Sequence, residues 1–494
     1  MHDYGFWSIL PPVIAIVLAI LTRQVFVSLL LGIWLGWVVV ARGNLLTGSL
    51  DTVQALVDVF KEAGNTRTIL FSALVGALII FIQRSGGVEG FILKINKILQ
   101  RYEQKKKGNN RVVVQFFAWL TGLLIFVESS ISVLTVGALY RPVFDKLKIS
   151  REKLAYIADS SSAPSSILIP FNGWGAFIMG LLAADFANPF AAMFHAMPYN
   201  FYPMLALGLA LLLIFTKKDF GPMAKAERRA REEGKVLADN AQPMISEELT
   251  EVATKEGVCP KARNMILPIA VMVLMMPVML TYTGWEIALE EVSEASFGGK
   301  VFHAIGNGSG STSVLVAVIT ALLFSMLLYR VQGILKMKEL VDLTLKGIAG
   351  LMPLAILMLF AFAISAVCKE LGTGVYVADI AKSWLSPNLV PFIVFVVSCF
   401  IAFSTGTSWG TFAIMMAIAV PMAQNMGSDV YIAIAAVMGG GVFGDHCSPI
   451  SDTTILSSMA SASDHIDHVR TQLPYALAAG VVTAAMYLIL GFAV

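Results

Sequence analysis

Charge is scarce in this chain. Asp, Glu, Lys and Arg make up only 14% of its 494 residues, against roughly 25% in soluble domains. With 57% hydrophobic residues and a mean hydropathy of +0.76, this excludes an ordinary soluble fold and points to a polytopic helical membrane protein. Cysteine is scarce too. Cys259, Cys368, Cys399 and Cys447 show no paired spacing, which argues against a disulfide framework. Neither sign of charge dominates: the net charge is +2 and gives no reason to expect a nucleic-acid partner. Met1 to Gly5 lacks the basic stretch of a cleaved signal peptide, so the first apolar run is expected to be a retained span.

Apolar runs are what the chain has in abundance. They cover 6–21, 25–41, 69–83, 112–140, 157–184, 198–215, 265–283, 301–329, 351–367, 389–424, 430–456 and 473–492. A straight crossing needs about 20 residues. The runs 112–140 and 389–424 are too long for one helix and are interrupted at Glu128-Ser129-Ser130 and at Ser404 to Ser408. Each reads as a re-entrant hairpin. Positive residues collect on the cytoplasmic side, and the segments 84–111, 141–156 and 217–263 carry eight, five and ten Lys/Arg. They share one side only if 112–140 is re-entrant. That topology puts both termini outside and the mixed-charge linker 217–263 inside. It predicts an all-α fold of two inverted repeats, 1–216 and 264–494, each with five spans plus one hairpin.

A shift of 279 residues supports the duplication. Pro142 falls on Pro421 and Pro170 on Pro449. Ser129 meets Ser408, Glu128 meets Thr407, Asn172 meets Ser451 and Ser166 meets Asp445. Inverted repeats with interrupted helices mark secondary transporters, with the site near mid-membrane at the repeat interface.

Four polar constellations are candidates for that site. The first tip offers Glu128, Ser129 and Ser130. The first broken span offers Asp159, Ser161, Ser162 and Asn172. The second tip offers Ser404, Thr405, Gly406, Thr407 and Ser408. The second broken span runs from Gly439 through Asp445, His446, Ser448, Asp452 and Thr453. Carboxylates, hydroxyls and freed carbonyls are ligands for a hard cation such as Na+, and a buried carboxylate can also hold a proton. Asp445 and Asp452, with Ser448, Thr453, Glu128, Thr407 and Ser408, are therefore expected to bind cation and proton. Ser129, Ser130, Ser161, Ser162, Asp159, Asn172, Ser404, Thr405, Gly406 and His446 are expected to face a substrate. Blander readings stand beside these. Membrane serines usually bond back to their own helix, the glycines serve close packing, and Asp159 could pair with Lys153 at the cytoplasmic mouth. Asp464-His465-Ile466-Asp467-His468 has the look of a metal cluster but reads better as helix-capping residues. Asn307 to Thr312 is either a helix start or an unwound segment.

Gly444 to Leu456, followed by His465, His468-Val469 and Thr471-Gln472-Leu473-Pro474-Tyr475, resembles the NhaC-type sodium/proton antiporter family, within the wider ion transporter superfamily. The resemblance implies an inner-membrane secondary transporter with an elevator-like arrangement, often a homodimer, with no cofactor and no enzymatic activity. It fixes the mechanism class better than the substrate. Na+/H+ antiport leads, and Na+- or H+-coupled carriage of a small organic acid or amino acid follows. An intramembrane hydrolase built on His446, a serine and an aspartate is disfavoured because neighbouring chain positions rarely reach triad geometry. A channel is disfavoured because elevator-type halves need no continuous pore.

Overall fold

The structure, a computed structural model, describes residues 4–22, 24–91, 93–94, 97, 110–126, 129–170, 172–243, 254–381, 385–449 and 451–493. Glu128 lies outside them, as does the side chain of Ser130. The helices of the first half are α1 (Leu10–Thr22), α2 (Val25–Val40), α3 (Leu45–Asp58), α4 (Ala63–Arg84), α5 (Asn110–Leu124), α6 (Ser129–Lys146), α7 (Arg151–Leu168), α8 (Gly173–Leu182), α9 (Pro189–Ala196) and α10 (Phe201–Thr216). A linker helix α11 (Gly221–Glu232) follows. The second half has α12 (Arg263–Glu291), α13 (Phe297–Asn307), α14 (Gly310–Val331), α15 (Met337–Glu370), α16 (Thr373–Ala381), α17 (Val390–Thr405), α18 (Ser408–Met426), α19 (Val430–Cys447), α20 (Asp452–Ser461) and α21 (His465–Ala493).

Among the described residues, eight helices are long and apolar enough to cross a bilayer, and nine if α7 and α8 count as one broken span. The sequence predicts ten crossings. Seven of the eight, and the broken span, match expected crossings, while the eighth, Pro387–Thr405, holds α17 of the expected second hairpin. The two expected crossings left over are α1 and α2, which have 13 and 16 residues and fall short of the usual length.

All four expected interruptions separate helices, and three have a local reason. Pro170 and Pro449 lack an N–H and follow the ends of α7 and α19. Gly406 closes α17 at φ +69°, a left-handed turn that favours glycine. The run 301–329 breaks as well, at Gly308-Ser309. There Ser309 caps α14, and a Cβ on Gly308 would lie 2.3 Å from the carbonyl oxygen of Leu280. Asn307 to Thr312 is thus a helix start packed on α12.

Two close crossings hold the bundle together. In α4 and α15, Gly76 and Gly347 bring backbones into contact: a Cβ on Gly76 would come within 2.2 Å of the Gly347 carbonyl oxygen. In α19, Gly440 and Gly444 face Ser398 and Ala402 of α17 one turn apart. Small residues of this kind let membrane helices approach closely.

The linker is more ordered than its polar composition suggests. Met223, Ala226 and Ala230 make one face of α11 apolar, and Met223 joins a core cluster with Tyr140, Tyr156 and Tyr475. Glu227 pairs with Arg111 and accepts from the backbone and hydroxyl of Ser150, the cap of α7. Arg229 pairs with buried Glu152, and Lys153 pairs with Asp219, which also accepts from the Tyr475 hydroxyl. Further on, the backbone N–H of Gln242 donates to Asp464. The linker therefore straps the starts of α5, α7 and α21 together.

Candidate functional site

The two broken helices and the second hairpin tip meet in a fully buried polar cluster. Asp445, in the last turn of α19, is 2% exposed. Its Oδ2 accepts from the Ser408 hydroxyl at 3.0 Å, and its Oδ1 accepts from the Ser451 hydroxyl at 2.6 Å. Ser408 opens α18 just past the Gly406 turn, and Ser451 immediately precedes α20. Three separate elements thus converge on one carboxylate. Ser451 also lies 3.1 Å from the Thr453 hydroxyl.

Asp452 behaves differently. It is exposed, and its Oδ1 accepts from the Thr453 backbone N–H. Its charge, with that of Asp159, is close enough to repel a charge on Asp445. Three carboxylates therefore converge on the region, and a cation is the natural counterweight.

Ser448 donates to the carbonyl of Phe403 at 2.8 Å, which ties the break to the second tip. The matching tie in the first half comes from Asn172 and Ser166. Asn172 Nδ2 donates to Phe126 O and to Ser166 O, both at 2.8 Å, while its Oδ1 caps α8 at Gly175 N. Ser166 also donates to Phe126 O, at 3.1 Å. All the polar atoms of the Asn172 side chain are therefore engaged in holding the break.

Several expected hydroxyls turn back onto their own helices. Ser161 bonds Ile157 O, Ser162 bonds Asp159 O and Thr405 bonds Ile401 O. Thr407 offers its carbonyl to Thr411 at the start of α18. Ser129 is buried at the start of α6, and Ser404 is half-buried at the second tip.

His446 sits between two hydroxyls, Ser160 at Nε2 (3.1 Å) and Tyr202 at Nδ1 (2.7 Å). That pattern holds the ring in place. Asp159 is not at the mouth beside Lys153, which is committed to Asp219. It is fully buried instead, and its Oδ2 accepts from Gln472 Nε2 at 2.6 Å and from the Thr454 hydroxyl at 3.3 Å.

Sequence reasoning placed Ser451 and Thr454 within the second broken span without a role of their own, and missed Gln472 and His468 as neighbours of the site. A pointer to Ser451 was its match with Asn172 in the shifted alignment. The 464–468 run divides into separate jobs: Asp464 caps α21 through the backbone of Asp467, His465 reaches Pro449 O and the Ser458 hydroxyl, and His468 turns inward. Among the described residues no group of histidine, cysteine or carboxylate side chains has the arrangement of a metal cluster.

The comparisons agree with this architecture. An uncharacterized protein of Haemophilus influenzae is 33% identical over 501 residues, covering 98% of this chain and 91% of that protein. The malate-2H(+)/Na(+)-lactate antiporter of Bacillus subtilis is 30% identical over 109 residues, only 22% of this chain and 23% of that protein. The crystal structure of the Alcanivorax borkumensis YdaH transporter matches in fold alone, with a TM-score of 0.59 and 14% identity over 90% of this chain and 89% of that one. The model of the Na+/H+ antiporter family matches residues 176–492, a stretch that holds the second hairpin and the whole Asp445 cluster, and the chain belongs to that family.

Proposed function

We propose that the chain exchanges Na+ for H+ by alternating access, with Asp445 at the centre of the cation site. One observation carries the reading. A single buried carboxylate gathers hydroxyls from a hairpin tip and from across a helix break. Oxygen donors of this kind suit a small hard cation, and the break frees helix-end carbonyls beside them. Ser408 and Ser451 serve as neighbouring ligands. Thr453, Thr407 and Ser448 complete the surroundings, and Asp452 is the exposed carboxylate through which ions approach. Glu128, Ser129 and Ser130 are the first tip's contribution.

The same reading takes the membrane part as inverted repeats 1–216 and 264–494, joined by a cytoplasmic linker 217–263, with re-entrant hairpins α5–α6 and α17–α18. Helix length supports it for the first hairpin, whereas Pro387–Thr405, which holds α17, is long enough to cross. With 15 and 18 residues, α5 and α6 extend about 22 and 27 Å, short of a hydrocarbon core of about 30 Å. Corresponding bonds support it too. Asn172 reaches back six residues to Ser166 O, and Ser451 reaches back six residues to Asp445. Each hairpin also packs against the other half's broken helix, α6 on α20 and α18 on α8. In this arrangement the protein is an elevator-like homodimer of the inner membrane with both termini outside.

The test is a proteoliposome assay with an internal pH dye. An inward Na+ gradient is expected to alkalinise the lumen as protons leave. No Na+-driven proton movement in active vesicles would refute the reading. A second reading, coupled exchange of a small organic acid or amino acid, is favoured by the name of the Bacillus subtilis relative over the segment it shares. Here Asp159, Ser161, Ser162, Asn172, Ser404, Thr405, Gly406 and His446 would border the solute. Counterflow of radiolabelled malate or lactate in the same vesicles distinguishes it.

A further inference from the structure

Beside the Asp445 cluster lies a second buried centre whose hydrogen bonding is incomplete. Asp159 and His468 are both fully enclosed, and His468 Nε2 stands 3.6 Å from Asp159 Oδ2. Among the described residues, neither ring nitrogen of His468 has a hydrogen-bond partner, and neither does Asp159 Oδ1 or Gln472 Oε1. Each such buried orphan costs about 1–3 kcal/mol. Four of them in one cluster contrast with Asp445, whose two oxygens both accept hydroxyls.

We propose that Asp159 and His468 form a dedicated proton-carrying pair, separate from the Na+ site at Asp445, and that Thr454 and Gln472 couple the two. The division into two sites rests on the Na+ reading above, whereas the pair itself does not. A proton from water adds to a ring-nitrogen lone pair of neutral His468 while the pair faces one side, and returns to water on the other. Loaded, the pair is imidazolium and carboxylate with no net charge; unloaded, it carries a lone buried anion. Crossing with neither ion bound leaves anions at both the pair and Asp445, so a low-dielectric layer favours crossing with either the proton or Na+ aboard. Coupling has a physical route. The Thr454 hydroxyl lies 3.3 Å from Asp159 Oδ2 and 3.4 Å from Asp445 O. Gln472 Nε2 spans Asp159 Oδ2 and His446 O, at 2.6 Å each. A change of charge on the pair is thus felt at the helix-end carbonyls beside the cation. Among the described residues, the other charged or titratable groups facing the pair include Asp445, His446 and Cys447 from α19, Asp452 from α20 and Tyr202 from α10. At the start of α7, against the linker, lie the Glu152–Arg229 and Lys153–Asp219 ion pairs.

The test uses the full-length protein in detergent, with histidine labelled at 13Cε1, in Na+-free buffer. A resonance absent from His468→Gln is expected to shift as the buffer pH is changed, and to respond differently in Asp159→Asn. A His468 resonance that does not change with pH, or is indifferent to Asp159→Asn, overturns the pair. In vesicles, His468→Gln is expected to lower proton-driven Na+ movement at least about tenfold relative to Na+/Na+ exchange, a change equal to one pKa unit. Equal loss of both fluxes would assign His468 a structural role and overturn the proposal. A titrating, Asp159-dependent His468 in a protein that moves no Na+ would leave the pair standing and sink the Na+ reading instead.

Discussion

Ser451 reaches back across the break between α19 and α20 and donates its hydroxyl to Asp445 at 2.6 Å, with both residues buried. The bond joins two half-helices through the carboxylate that the cation needs. A cation arriving at Asp445 therefore meets the break itself, and its binding is linked to the geometry of both half-helices.

Removing that hydroxyl should weaken Na+ binding. Hydrogen bonds to charged groups contribute about 1.5–3 kcal/mol, so Ser451→Ala is expected to raise the Na+ concentration for half-maximal flux by roughly tenfold or more, and Ser451→Thr by less. Asp445→Asn should abolish Na+-dependent flux without preventing folding. Unchanged Na+ dependence in both alanine and asparagine variants would remove Asp445 from the cation site.

The α17–α19 crossing should tolerate no added bulk. A Cβ on Gly444 would sit 2.4 Å from Ala402 Cβ and 2.5 Å from the Phe403 backbone nitrogen, and one on Gly440 would sit 2.6 Å from Ser398 Cβ. Overpacking typically costs about 1–3 kcal/mol. Gly444→Ala should lower the thermal unfolding midpoint in detergent, whereas Gly350→Ala, which meets open space, should not.

One of the ion pairs in the linker strap encloses a lysine. The Lys153 side chain is 1% exposed, bonds Asp219 and lies 5.6 Å from the ring centres of both Tyr156 and Tyr475. Asp219→Ala strands the ammonium, and breaking such a pair from one side costs about 3–5 kcal/mol. Replacing both partners, as Lys153→Met with Asp219→Leu, should recover much of that loss. Urea unfolding of the wild type and the two variants checks the order.

Acid should loosen the far end of the strap. Burial pushes the Asp464 carboxyl up, but the backbone N–H groups of Gln242, Asp467 and Ile466 outweigh it and hold the group below the usual carboxylate range. A depressed carboxylate stabilises above its unfolded value of about 3.9, and that contribution is lost as pH falls through the lower folded value. Pepsin cleavage near Gln242 is therefore expected to rise only below about pH 4, and Asp464→Asn should flatten the dependence.

Much of the site was legible because lipid makes polar interruptions conspicuous. Gly406, Pro170 and Pro449 announce the breaks from local backbone chemistry alone. Asp445 stands out because a carboxylate in an apolar run is costly. What the sequence hides is partnership at long range. Nothing local ties Asp159 to Gln472 or His468, more than 300 positions away, so the nearer Lys153 looked like its partner. Asn172 and Ser161 look like ligands from composition, yet their hydrogen bonds hold the backbone. The linker helix was obscured by charge, although Met223, Ala226 and Ala230 recur at helical spacing. The helices α3 and α16 lie outside the apolar runs that the reading followed.

The contact between Gly76 and Gly347 has a consequence for how motion in this molecule can be measured. Where two backbones touch with no side chain between them, neither helix can slide without separating, because no rotamer change can absorb the displacement. The α4–α15 crossing thus serves as a fixed origin for the rest of the structure. Spin labels placed on the lipid side of these two helices should keep one separation whatever ions are present. Labels pairing either helix with α18 or α20 should record any stroke the transporter makes.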